Sequence, residues 1–311
     1  MDEYFYSFNR YLKNKFGQRV HRISLDAGFN CPNTDGTISS QGCIFCNNKA
    51  FSYFTRLSSL SLEEQIFQAK EYARKRFKVK KFIAYFQSNS NTYGSLDLLK
   101  KQYSLVRKFD DIVGIAISTR PDCIDQEKLD LIESFAKDYE VYIEYGLQSI
   151  HDKTLKLINR GHIFDDFQRA VELTSARGKI NIGVHVILGL LEETKSDMLA
   201  TAKVLAKMPI WGIKFHALHI VKDTPLASMH QETNLELLSL DQYADILVSF
   251  LELLPREQVI LRLVSDAHRD LLIAPSWVND KEKALKRIED EFKKRQTHQG
   301  AVHESISCAR T

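Results

Sequence analysis

The sequence predicts an α/β fold: an open, partial barrel of six strand–helix units, a (β/α)6 half-barrel, with a charged helical extension at its C-terminal end. Three observations lead there. Apolar strand-like runs alternate with helical stretches six times, the pattern of a parallel sheet joined by crossover helices. Six units are too few to close the usual eight-stranded barrel. The chain of 311 residues, 44% of them hydrophobic, supplies a large core.

Taken in order, residues 1–18 form an N-terminal extension rich in aromatic and basic side chains. Strand-like runs follow at 19–27 (RVHRISLDA), 81–87 (KFIAYFQ), 113–119 (VGIAIST), 140–147 (EVYIEYGL), 181–188 (NIGVHVIL) and 212–220 (GIKFHALHI). Helical stretches at 61–77, 96–108, 125–137, 163–177, 194–207 and 240–254 lie between and after them. An apolar run at 258–264 offers a further strand or edge element. Residues 281–296 read as a charged helix, and the polar tail 297–311 as mobile. The expected organisation is a barrel domain over 1–265 and an extension over 266–311, without repeats or a low-complexity linker. Catalytic side chains of such a barrel belong at the C-terminal ends of its strands.

The segment CPNTDGTISSQGCIFC carries the chemistry. Cys31, Cys43 and Cys46 follow the first strand, spaced eleven residues and then two. Cys43 and Cys46 make a chelating turn, and the longer loop to Cys31 costs only about 1 kcal/mol more in closure entropy than a short one. Pro32, Asn33, the Asp35–Gly36 pair and Gly42 turn that loop tightly. An iron–sulfur cube normally takes four cysteines, so three would leave one iron open to a reacting molecule. A structural zinc site completed by His21 or a distant ligand is the alternative. No apolar run reaches membrane-spanning length and the N-terminus has no secretory core, so the expected setting is the cytoplasm, where thiols stay reduced.

Further along stand YFQSNSNTYG (85–94), STRPD (118–122), EYGLQSIHDKTLKLINRGH (144–162) and GVHVILGLLEET (183–194). With the cysteine segment, these resemble radical S-adenosylmethionine (SAM) enzymes across nearly the whole barrel. The long cysteine loop resembles that of small bacterial proteins related to the Elongator catalytic subunit, without that subunit's acetyltransferase domain. The resemblance implies a 4Fe–4S cluster on Cys31, Cys43 and Cys46, with SAM on the open iron. It also implies an electron donor such as flavodoxin or ferredoxin. Gram-positive relatives of this barrel-only type are associated with tRNA wobble uridine, maturing its 5-carboxymethylaminomethyl group toward aminomethyl. The alternatives are radical chemistry on a small metabolite or tetrapyrrole, and a zinc-stabilised RNA-binding module.

The same resemblance distributes the SAM contacts. Gln87 or Asn89 stands where relatives hold the methionine ammonium with a Gly-Gly-Glu stretch, a motif this chain lacks. Gln148 is implied at the ribose and Arg160 at the methionine carboxylate, which suits a guanidinium fork; a surface pair with Asp165 or Asp166 is the competing role. His185 takes a position where relatives carry Asp toward the ribose, Ile187 an adenine-packing position, and Phe45 counts among the cofactor contacts. The turn Gly189–Thr194 lacks the family's Pro and second Gly, and Ser118 stands where some relatives carry Glu. His216 and His219, three apart on one expected strand, should face opposite ways. Cys123 reads as a buried free thiol, and Cys308 has no evident role.

A net charge of +3 does not by itself imply a nucleic-acid partner. Two local clusters offer one. Arg74–Lys81 is strongly basic at a helix end, and the N-terminus interleaves Tyr4, Phe5, Tyr6, Phe8 and Tyr11 with Arg10, Lys13, Lys15, Arg19 and Arg22. Against this, cations complement a helix C-terminus, and the N-terminal segment suits a cover for the barrel bottom.

Overall fold

The computed structural model describes residues 1, 3–56 and 60–303, and Cys308 lies outside them. Among the described residues the nine strands are β1 (Val20–Leu25), β2 (Lys81–Phe86), β3 (Ile112–Thr119), β4 (Glu140–Gln148), β5 (Asn181–Leu188), β6 (Gly212–Ala217), β7 (Ile220–Val221), β8 (Val259–Arg262) and β9 (Leu272–Ala274). Seven of them form one parallel sheet in the order β1-β2-β3-β4-β5-β6-β8, while β7 and β9 make a small antiparallel pair. The six expected units are present, and the run at 258–264 supplies the seventh strand. β1 and β8 remain as edges, so the sheet curls without closing.

The helices are α1 (Phe8–Phe16), α2 (Asn48–Phe51), α3 (Leu62–Phe77), α4 (Leu96–Ser104), α5 (Gln126–Ser134), α6 (Asp152–Leu157), α7 (Phe164–Ser175), α8 (Lys195–Leu205), α9 (Pro225–Thr233), α10 (Leu240–Leu253) and α11 (Lys281–Arg295). Capping boxes fix three of the starts: Ser61 with Glu64, Thr194 with Asp197, and Ser239 with Gln242. The main core lies between the sheet's outer face and the helices, joining Phe86, Ile117 and Leu188 to Phe167, Leu247 and Phe292. Strands buried on both faces read as the near-continuous apolar runs seen in the sequence.

Inside the curl, α1 closes the end where the strands begin. Phe8 and Tyr11 pack edge-on to Trp211, and Phe8 edge-on to Tyr142. Tyr11 donates to Glu140 at 2.9 Å, and Lys15 pairs with the same carboxylate. Phe8 and Tyr11 therefore cover the barrel bottom, where neither ring is available to stack on a base. The stretch Arg74–Lys81 shares that end, because it leads from the C-terminus of α3 into the first residue of β2. Its cations lie at the end opposite the C-terminal ends of the strands, and Arg74 pairs with Glu71 and Asp111.

Two further expectations need correction. Residues 212–220 are not one strand: β6 ends at Ala217, and His219 Nδ1 turns back onto the Ala217 carbonyl at 2.8 Å. The tail is not loose from residue 297 on. Gln299 is buried, its backbone N–H reaching the Tyr4 carbonyl and its side chain bonding Tyr6, Pro255 and Gln258. Residues 304–311 lie outside the described residues.

Candidate active site

At the C-terminal end of the sheet a cavity is lined by Cys31, Cys43 and Cys46 together. The loop between them folds as its turn residues demand. Gly36 and Gly42 take φ of +94° and +71°, the Asp35 carboxylate accepts from Thr37 N–H, and Gly42 N–H donates to the Asn33 carbonyl at 2.7 Å. The Cys43–Cys46 turn is pinned from two sides. Ile44 N–H reaches the Ile158 carbonyl after α6, and Leu226 N–H of α9 reaches the Ile44 carbonyl.

Polar groups point at the sulfurs. Asn33 Nδ2 and Arg160 Nη1 each lie 3.5 Å from Cys43 Sγ, and Ser90 Oγ lies 3.7 Å from Cys31 Sγ. Cys46 is exposed as a residue, yet burial of its sulfur, then Cys43 and Cys31, push its thiol up to about 12. A thiol whose ionisation is opposed by burial and by two neighbouring sulfurs favours a cationic centre beside it. Among the described residues, no three His, Cys, Asp or Glu side chains form a group that could hold a single metal ion. The three cysteines nevertheless line one cavity.

Arg160 is buried, not paired at the surface. Its Nη2 donates to the Gly146 carbonyl at 2.7 Å, while Asp165 and Asp166 are taken by Arg169. Gly146 leaves room for this: a Cβ there would stand 2.7 Å from Arg160 Nη2 and 2.9 Å from Gln148 Nε2. Gln148, at φ +78° where the β4–β5 register shifts, also lines the cavity, as do Phe45, Gln87, Asn89, His185 and Ile187. All ten residues expected at the site are thus brought together.

They are not equally available. Asn89 donates to the Phe29 carbonyl at 2.8 Å and accepts from Asn48. Gln87 uses only Nε2, on the Phe51 carbonyl at 3.2 Å. In the Gly189–Thr194 turn, Glu192 stands at the position of the family's second glycine and itself adopts φ +61°. Ser118 lines the cavity, and Cys123 is buried beside it without lining it. His216 and His219 both line the cavity, against expectation, because β6 stops between them.

Beneath lies a charged layer that sequence reasoning missed. Glu144 accepts from Arg22, from Tyr85 Oη at 2.9 Å, from His185 Nε2 at 2.7 Å and from Lys214 Nζ at 3.2 Å. Burial alone would raise the Glu144 carboxyl, but Arg22, Lys214 and His185 outweigh it and hold it well below the usual range. Burial pushes Lys214 well down, and pushes His185 to about 4 with help from Lys214. His162, near Arg160, is pushed by burial and then by Arg160 and Arg120 to about 2. The available signal was a Glu and a Lys in mid-strand, in EVYIEYGLQ and GIKFHA, where both faces are buried.

This half-barrel with a three-cysteine cavity at its strand ends is the architecture of one enzyme superfamily. Residues 36–205 match the Radical SAM superfamily and 210–294 the Radical_SAM C-terminal domain. The uncharacterized protein YtqA of Bacillus subtilis (strain 168) is 34% identical over 302 residues, 97% of this chain and 94% of that protein. The chain belongs to the radical SAM superfamily, whose cofactors are a 4Fe–4S cluster and SAM. Two further likenesses are more distant. A tRNA uridine(34) acetyltransferase of Dehalococcoides mccartyi (strain CBDB1) is 27% identical over 123 residues, 39% of this chain and 26% of that one. The structure of Methanocaldococcus infernus Elp3 superposes with a TM-score of 0.60 at 15% identity, covering 88% of this chain and 63% of that one; it shares the fold.

Proposed function

We propose that this radical SAM enzyme acts on the wobble uridine of tRNA, taking 5-carboxymethylaminomethyl to aminomethyl. The observation that carries the enzyme reading is the shared cavity of the three thiols, Arg160 and Gln148 at the strand ends. For the substrate, the support is the local likeness to a tRNA uridine(34) acetyltransferase and the cations of the rim. Exposed Lys49, Lys222 and Arg269 sit on segments tied together there by Asn47 Nδ2 to the Lys222 carbonyl, His268 N–H to Ala50 and Lys222 N–H to Leu271. Phosphates of a single-stranded loop would meet them while the unstacked base enters the mouth.

Cys31, Cys43 and Cys46 would hold three irons, with Asn33 and Arg160 donating toward the Cys43 sulfur. Cluster and SAM together supply a carbon radical able to remove hydrogen from an unactivated carbon. Gln87 Oε1 is suited to the methionine ammonium, since the Asn89 amide is engaged elsewhere. The Nη1 arm of Arg160 would meet the methionine carboxylate, Gln148 and His185 the ribose, and Ile187 and Phe45 the adenine. The filled barrel bottom keeps water from that side. A flavodoxin or ferredoxin would deliver the electron.

Nucleoside mass spectrometry of tRNA from a deletion strain tests the substrate. The expected result is accumulation of the carboxymethylaminomethyl nucleoside at the expense of its aminomethyl descendants. An unchanged profile would remove the tRNA assignment.

A further inference from the structure

The cavity has a cationic half that the cofactor does not account for. Its lining includes Arg120, Arg160 and Lys214 with three histidines, and no aspartate or glutamate among the described residues. Arg120 is fully engaged: Nε and Nη2 grip Asp122, and Nη1 donates to the Arg160 carbonyl. Arg160 faces Cys43 on the cofactor side. Lys214 is the cation of the other side, only 3% exposed, with Nζ 2.7 Å from Tyr85 Oη and 3.2 Å from Glu144. An ammonium has three protons. Two are taken by these oxygens, and the third is left for the cavity.

Glu144 does not balance this layer. It is shared by Arg22, Lys214 and His185, while among the described residues Arg262, behind His216, is ion-paired with Asp266 at 4.0 Å. Three cations thus face one close carboxylate and one distant one. Burying excess positive charge is costly unless an anion completes it, and burial together with Arg22 and Arg262 already drives the Lys214 ammonium toward losing its proton. A bound anion would relieve that. His216 lines the same wall, and Arg262 Nη2 lies 3.0 Å from both of its ring nitrogens, which face that guanidinium.

We infer that Lys214 forms the subsite for a carboxylate on the substrate. A monoanion matches an excess of about one charge; a phosphate dianion would need a second free cation. The inference rests on reading this cavity as the site of SAM-dependent chemistry, and it sets the substrate class: a molecule whose acid end reaches the cavity floor while its bulk fills the mouth. Lys214 is then a specificity-determining residue, with Glu144 and Tyr85 positioning its ammonium.

The test uses the full chain, reconstituted anaerobically and loaded with SAM, titrated calorimetrically with N-benzylglycine and its neutral amide, N-benzylglycinamide. The acid should bind about tenfold or more tightly than the amide, as expected for a charge-assisted hydrogen bond in a buried site. Lys214→Gln should bring the two to near parity, and Lys214→Arg should restore part of the preference. Benzylphosphonate should bind no more tightly than the acid. Parity in the wild-type protein, a preference that survives in Lys214→Gln, or tighter binding of the phosphonate would each overturn the subsite. Should Lys214→Gln fail to fold, the wild-type acid–amide comparison and Lys214→Arg still decide. A retained acid preference with an unchanged tRNA profile in the deletion strain supports the subsite and dismisses tRNA; parity with an altered profile does the reverse.

Discussion

Mild acid should destabilise this protein well before its carboxylates titrate. His162, His185, His216 and His219 are all held below the usual histidine range, burial being the first cause for each. Their unfolded value is about 6.5. Below it the unfolded chain binds protons that the folded chain refuses, so stability is intact above pH 6.5 and falls as pH drops toward the folded values. For His162 at about 2 and His185 at about 4, linkage gives a loss of about 1.4 kcal/mol each between pH 7.5 and 5.5, or about 2.8 kcal/mol together. His216 and His219 add in the same direction. Glu144, depressed below its unfolded value of about 4.3, loses its contribution only under that pH and stays outside the window. Urea unfolding of the cofactor-free chain at the two pH values reads the difference. His162→Gln should reduce the loss by about 1.4 kcal/mol. A wild-type loss below about 1 kcal/mol, or a His162→Gln profile identical to wild type, would refute the reasoning.

The remaining predictions address the cofactors and the substrate surface. Anaerobic protein should carry about four irons per chain; Cys31→Ala, Cys43→Ala or Cys46→Ala should each abolish them by iron assay, whereas Cys123→Ala, outside the cavity lining, should not. Arg160→Ala should weaken SAM binding by about 1.5–3 kcal/mol, and Gln148→Ala by less. Gly146→Ala should follow Arg160→Ala in equilibrium dialysis, because its methyl would collide with Arg160 and Gln148. Neutralising Lys75, Arg76, Lys78 and Lys80 should leave tRNA affinity unchanged, since these lie at the closed end of the barrel. Neutralising Lys49, Lys222 and Arg269 should lower it and flatten its salt dependence by up to about three units of slope.

Much of the fold was legible because buried parallel strands announce themselves as apolar runs, and the cysteine loop because its turn residues have few other uses. Distance along the chain hid the rest. Glu144, Tyr85, Lys214 and Arg22 come from four strands, and only the curl of the sheet brings them into contact. His219 was misplaced for a local reason: an apolar run continues past Ala217, but the backbone turns there on a side-chain bond that periodicity cannot show. Arg160 faces inward because Gly146 opposite has no side chain, a pairing fourteen residues apart. Phe8 and Tyr11 suited either nucleic acid or packing, and Trp211, Tyr142 and Glu140 decided for packing.

The aromatic plug formed by Phe8, Tyr11, Tyr142 and Trp211 makes the barrel blind-ended. With that end filled, the end of the sheet that carries the three cysteines is the one open to an arriving molecule. The molecule occupying the mouth is therefore the stopper as well as the reactant, and how well it fits governs how long a reactive species survives behind it. A large partner covering the rim would seal the vessel, whereas a fragment of it would leave gaps. Small mimics should for that reason consume SAM with little product to show, a leak that measures the quality of the seal.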